Sequence, residues 1–179
     1  LRLGVLRNSA MNQIDIELKS GGQILACPAY PEHAPYRIFG GLVFQPVDLD
    51  LALSQGEDVP INTLALYTDD ALQTEDRREV VTLGRILPHP VNRGYQDWGG
   101  ELVVTVQGES VRDFAGFNEL LDNASGQWIS ITLDDASVVV MDLAKARDSL
   151  SEILSTYNAP SDRFPGTPAP RDVVTALAQ

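Results

Sequence analysis

The groups best placed for chemistry in this chain are backbone donors, not side chains. Gly40-Gly41 stands directly before Leu42-Val43-Phe44. Two glycines feeding an apolar, partly β-branched run predict a tight turn into a strand. Such a turn can aim backbone N–H groups outward, as a receptor for a carboxylate or a chain end. The same pair also reads as an ordinary strand-entry bend. Side-chain chemistry is thinner. His33 and His89 both sit among prolines and read as loop residues, and no serine lies in a Gly-x-Ser-Gly-Gly or Gly-x-Ser-x-Gly context. Asp69-Asp70 and Glu75-Asp76 gather carboxylates without the His or Gly-framed spacing of a cation site, so they read as a solvated face. The lone Cys27 cannot form an intrachain disulfide and reads as a packing or loop residue. With no zinc spacing and no phosphate-cradling glycine loop, the expectation is no catalytic residue, no metal and no cofactor.

The elements that must position the glycine turn follow from periodicity. Arg2–Arg7 and residues 14–18 alternate apolar and polar side chains around a loop at 8–13, a hairpin pattern. A lone hairpin is marginally stable, so this pair is expected to extend a neighbouring sheet. Residues 21–35 form a proline-punctuated, extended connector through Pro28, Pro31 and Pro35. A first strand is expected over 38–45, and residues 48–54 fit either a strand or a turn of helix. Further strands are expected over 80–87 and Leu102–Val106, with a short helix or turn between them at 91–98. Asp113 is a good N-cap for a helix whose Phe114, Phe117, Leu120 and Leu121 keep helical spacing. Trp128–Leu133 and residues 138–143 flank Asp134-Asp135-Ala136-Ser137 as a hairpin, and 144–157 is an amphipathic closing helix bearing Leu150, Ile153, Leu154 and Tyr157. Residues 165–179, rich in proline, are expected to be flexible.

Composition bounds the function. The chain has 179 residues, enough for one cored domain with additional pieces, and a net charge of −12 opposes binding to nucleic acid or anionic lipid. No apolar run reaches the roughly 20 residues of a membrane span. Leu1-Arg2-Leu3-Gly4 has neither a starting Met nor a signal-peptide shape, so the chain is expected to come from within a longer protein.

The order of these elements resembles a PDZ domain: a glycine turn into a Gly-Leu-Val-Phe strand, a second strand, a short helix, a third strand, a helix and a final hairpin. Gly41-Leu42-Val43-Phe44-Gln45-Pro46, Val91-Asn92-Arg93-Gly94-Tyr95-Gln96-Asp97, Leu133-Asp134-Asp135 and Ala159-Pro160-Ser161-Asp162-Arg163 are together similar to the C-terminal PDZ domain of Deg/HtrA-type serine proteases. The resemblance covers about residues 36–164. It implies a mainly β fold with α (α+β), a PDZ-like antiparallel β-sandwich or partial barrel with two helices plus a C-terminal helix. It divides the chain into a terminal hairpin of a preceding PDZ domain or sheet extension (1–20), a connector (21–35), the PDZ-like domain (36–145), a C-terminal helix and tail (146–164) and a flexible tail (165–179).

A peptide-binding groove is implied between the edge of the strand carrying Gly40, Gly41, Leu42, Val43 and Phe44 and a helix wall of Phe114, Asn118 and Leu121. Phe117 and Leu120 would then face the core, although helical spacing alone also fits all four apolar residues as core. Val43 stands where many PDZ loops carry glycine, and Asn118 puts an amide in the groove wall. Two functions stay open: an interaction, assembly and regulatory module of a protein-quality-control protease, or a recognition module for substrate C-termini and exposed strands. The implied partners are a protein or peptide, other parts of the parent protease and a second copy in a homo-oligomer. Proteolysis itself belongs, on this resemblance, to a trypsin-like serine endopeptidase domain outside the chain.

Overall fold

Glycine and alternation write the start of the main sheet. In the computed structural model, which describes residues 2–7, 10–15, 22, 24–25, 34–54, 63, 65–66 and 72–164, strands β3 (Arg37–Phe39) and β4 (Leu42–Pro46) are joined by Gly40-Gly41. The expected strand over 38–45 is therefore two antiparallel strands, with Phe39 opposite Leu42. Both turn residues have positive φ, 55° and 81°, as a two-residue hairpin that follows the native strand twist requires. β5 (Val81–Ile86) pairs with the other side of β4, with a register shift between Val43 and Phe44 that leaves Gly84 as the extra residue. The sheet continues through β6 (Leu102–Val106) to the hairpin of β8 (Trp128–Leu133) and β9 (Val138–Asp142), while the short β7 (Glu109–Ser110) pairs beside β6. Among the described residues, the order β3-β4-β5-β6-β8-β9 with β7 beside β6 makes one antiparallel sheet of seven strands, not a closed barrel.

The 48–54 stretch resolves into helix α1 (Leu49–Ser54) because Asp48 caps it: its carboxylate accepts the Leu51 N–H at 2.7 Å. α1 helps cover a small second core of Ile24, Leu25, Val47, Ala52, Val80 and Leu102. The main core lies between the sheet and helix α2 (Phe114–Asn123), where Phe117 meets Phe44 at 4.8 Å between ring centroids and Leu83, Ile129 and Ile131 are buried alongside. The expected closing helix is divided into α3 (Leu143–Asp148) and α4 (Leu150–Thr156). Ser149 sits between them and turns its hydroxyl back onto the Ala146 carbonyl, a bond that competes with the helix ladder. Ile153 is fully buried, whereas Leu150 and Leu154 are half-buried.

β1 (Arg2–Arg7) and β2 (Ala10–Asp15) form a separate two-stranded sheet. β2 starts earlier than the sequence suggests: Arg7 faces Ala10, so residues 10–13, expected in the loop, are strand. The expectation for residues 165–179 lies outside the described residues. Among the described residues, no helix is long and apolar enough to cross a membrane.

Candidate functional site

Gly40-Gly41 was the candidate receptor, and its surroundings decide what it can receive. Both glycines are buried. The amide of Asn92, which has no exposed surface, donates to Gly40 O at 2.9 Å and to Leu87 O at 2.8 Å, while its Oδ1 accepts the His89 N–H at 3.0 Å. Leu87 N donates to Gly41 O at 2.7 Å. A Cβ on Gly41 would collide with Asn92 Nδ2 and stand 2.6 Å from Leu87 O. The glycines are needed so that the turn can close onto Asn92, a buried polar group that satisfies three backbone partners at once. His89 belongs to the same lock. It caps the 3-10 turn at Pro90–Asn92, its Nδ1 accepts the Val91 N–H, and its Nε2 lies 3.5 Å from the Glu152 carboxylate.

The edge expected to receive a peptide is not open. Leu42, Val43 and Phe44 pair with Phe39, Ile38 and Arg37 on one side and with Ile86, Arg85 and Leu83 on the other. A strand has two hydrogen-bonding edges, so none remains along residues 42–44 for an added chain. The residues expected along the helix wall are placed as follows. Phe114 and Leu121 are buried in the core together with Phe117, and Leu120 packs against it half-buried. Asn118 bonds back to Phe114 O at 2.9 Å, and its shielded Oδ1 has no hydrogen-bond partner among the described residues.

What covers the outer side of β3 is the chain's own tail. Ile38 N donates to Asp162 O at 2.6 Å, Phe164 N donates to Tyr36 O at 3.2 Å, and Arg37 faces Arg163 in an antiparallel bridge. Four charges clamp this contact. The buried Arg37 guanidinium lies 2.8 Å from both Asp122 Oδ1 on α2 and Asp162 Oδ2 on the tail. Arg163 donates both terminal nitrogens to the two Asp122 oxygens, at 2.8 and 3.0 Å. This is a fork-on-fork pair, the stronger geometry for arginine and carboxylate. The Tyr36 hydroxyl adds a bond to Ser161 O at 3.2 Å. At the opposite end of the sheet, the Tyr95 hydroxyl spans the Val140 N–H and C=O and blocks the β9 edge.

Both ends of α2 are fixed electrostatically. At its N-terminus Asp113 accepts the Gly116 N–H and Glu79 accepts the Phe114 N–H, carboxylates meeting the positive end of the helix. Burial pushes the Glu79 carboxyl above its ordinary range, and the Asp113 charge adds to this, while the bond from Phe114 N–H works against it. At the C-terminus one Arg147 nitrogen reaches the Leu121, Asp122 and Ala124 carbonyls. Among the described residues, no cluster of three or more His, Cys, Asp or Glu side chains could hold a metal ion.

Residues 27–166 match the PDZ domain family. The chain belongs to that family. This PDZ region is also similar to parts of plant proteases. It is 24% identical over 157 residues to the putative protease Do-like 12, mitochondrial, of Arabidopsis thaliana, covering 88% of this chain and 28% of that protein. It is 24% identical over 164 residues to protease Do-like 2, chloroplastic, of the same organism, covering 90% of this chain and 26% of that one. Putative protease Do-like 3, mitochondrial, again from A. thaliana, is 26% identical over 162 residues, 89% of this chain and 27% of its own. The PDZ chain thus spans about a quarter of the length of these curated relatives. Of the residues that organise the site, sequence reasoning passed over Arg37 and Asp122, and it quoted Asn92 and Arg163 only within motifs, with no role. One signal was available for the turn: two glycines between alternating apolar residues is a hairpin pattern as much as a ligand loop.

Proposed function

We propose that this PDZ region is a non-catalytic interaction and assembly module of a Deg/Do-like serine protease, working in protein quality control, with its strand-accepting edge filled from within. The observation that carries the reading is the double pairing of β4, whose outer edge is taken by β3 through the Gly40-Gly41 turn. Peptide capture by a PDZ fold needs a free strand edge for main-chain hydrogen bonds. Large apolar side chains left in water support a role in assembly: Leu6 and Met11 on the first hairpin, and Trp128, Val138 and Val140 on the outer face of β8 and β9. In this reading the first hairpin completes a preceding PDZ domain, and cleavage is performed by a serine endopeptidase domain outside this chain. The partners are then the rest of the protease and further copies of it, with no nucleic acid.

Titration of a panel of hydrophobic C-terminal peptides against the chain, followed by fluorescence anisotropy, tests the reading. No saturation is expected up to about 1 mM, equivalent to less than about 4 kcal/mol of binding. Saturable binding at micromolar concentration would overturn it.

A further inference from the structure

The outer edge of β3 carries more recognition chemistry than the mere blunting of an edge requires. Natural sheets protect an edge with a lysine, a proline, a bulge or a covering loop, and a covering loop needs no matched pair of charges. Here a backbone donor and acceptor, Ile38 N–H and Tyr36 C=O, meet residues 162 and 164 as an added strand would. Beside them the Arg37 side chain is only 6% exposed, its shielded Nε and Nη1 have no hydrogen-bond partner among the described residues, and Nη1 meets Asp162 as an ion pair. Arg37 and Asp122 come from different elements, yet both face the same short segment.

We propose that the outer edge of β3 is a binding site for an extended peptide bearing an acidic residue followed directly by a basic one, and that residues 161–164 are its resident occupant. Arg37 reads the acidic position, now Asp162, at 2.8 Å. Asp122 reads the basic position, now Arg163, through two bonds. The order of the pair is fixed. An interchanged Arg-Asp peptide would set its cation against Arg37 and its anion against Asp122, two like-charge contacts. The site takes internal segments, since no contact here uses a chain end. It lies one strand outward from β4 and so goes beyond the filled edge on which the proposed function rests.

For another peptide to bind, the resident segment must leave. It follows Asn158, at a positive φ of 52°, and the Ala159-Pro160 link after α4, and α4 is itself held by the Tyr157 hydroxyl on Pro88 O at 2.6 Å. Release of residues 161–164 therefore need not disturb the core.

The test uses the full chain with Asp162→Ala and Arg163→Ala together, and a fluorescent peptide with the sequence of residues 158–166. The variant is expected to bind this peptide saturably, at least about tenfold tighter than the same peptide with its Asp and Arg interchanged. The wild-type chain is expected to bind it at least about tenfold more weakly than the variant, because its own segment competes at high effective concentration. Equal binding of both peptides by a cooperatively folded variant overturns the proposal. Hydrogen exchange on the wild-type chain gives a second decision, independent of whether the variant folds. The Phe164 amide is expected to exchange at least about tenfold faster than Ile131 in β8, at a rate insensitive to low denaturant, as local opening requires. Exchange of Phe164 only through global unfolding would show a fixed strand and also overturn the proposal.

Discussion

Gly41→Ala puts the lock on the glycine turn to a quantitative test. Gly41 has φ of 81°, and moving an L-residue into the left-handed region costs about 1–2 kcal/mol. The new Cβ would also strike Asn92 Nδ2 and Leu87 O, so the Asn92 amide must withdraw from Gly40 O and Leu87 O. Leaving even one such buried group without its partner costs about 1–3 kcal/mol. The expected loss is thus about 2–5 kcal/mol, a large fraction of a small domain's stability. Gly94→Ala is the matched control, since its φ is 102° but a Cβ there meets nothing within 4 Å. It should lose only the backbone part, about 1–2 kcal/mol. Urea denaturation of both variants at 25 °C, with the slope unchanged and the midpoint shifted, measures the difference. If Gly41→Ala lost no more than Gly94→Ala, the argument that the turn closes onto Asn92 would be refuted.

Phe117→Ala, which removes a fully buried ring tilted against Phe44 and stacked on Phe114, should cost about 3–5 kcal/mol by the same assay, and a loss under about 1 kcal/mol would place α2 away from the core. Glu79→Gln tests the electrostatics of the α2 N-terminus. Because burial raises the Glu79 carboxyl in the folded state, its contribution is fully present below the ordinary glutamate range and is lost as pH rises through the raised value. Stability measured from acid to neutral pH should therefore shift in favour of the Gln variant as pH rises, and a shift the other way would contradict the assigned cause.

By itself the sequence determined the elements whose signals are local. Asp113 and the 3.6-residue spacing of Phe114, Phe117 and Leu121 specify α2, because a cap and an apolar stripe act within one turn of chain. Leu102–Val106 and the hairpin around Asp134-Asp135-Ala136-Ser137 were legible for the same reason: strand alternation and turn chemistry are properties of neighbouring residues. The four motifs in order were enough to bring out the resemblance to a PDZ domain, which the family match to residues 27–166 bears out. Tertiary structure alone decided which edges are open. Gly40-Gly41 fits both a ligand loop and a hairpin turn, and only the pairing of β3 with β4 and the buried Asn92, 52 residues away from Gly40, selects the second. Periodicity showed that Phe114 and Leu121 are apolar partners of something, but not of what, because a groove wall and a core face carry the same side chains. The clamp of Arg37, Asp122, Asp162 and Arg163 joins β3, α2 and the tail across distances that no local rule spans. Charged residues at such separations look like ordinary surface until the fold buries one of them and brings the others to it.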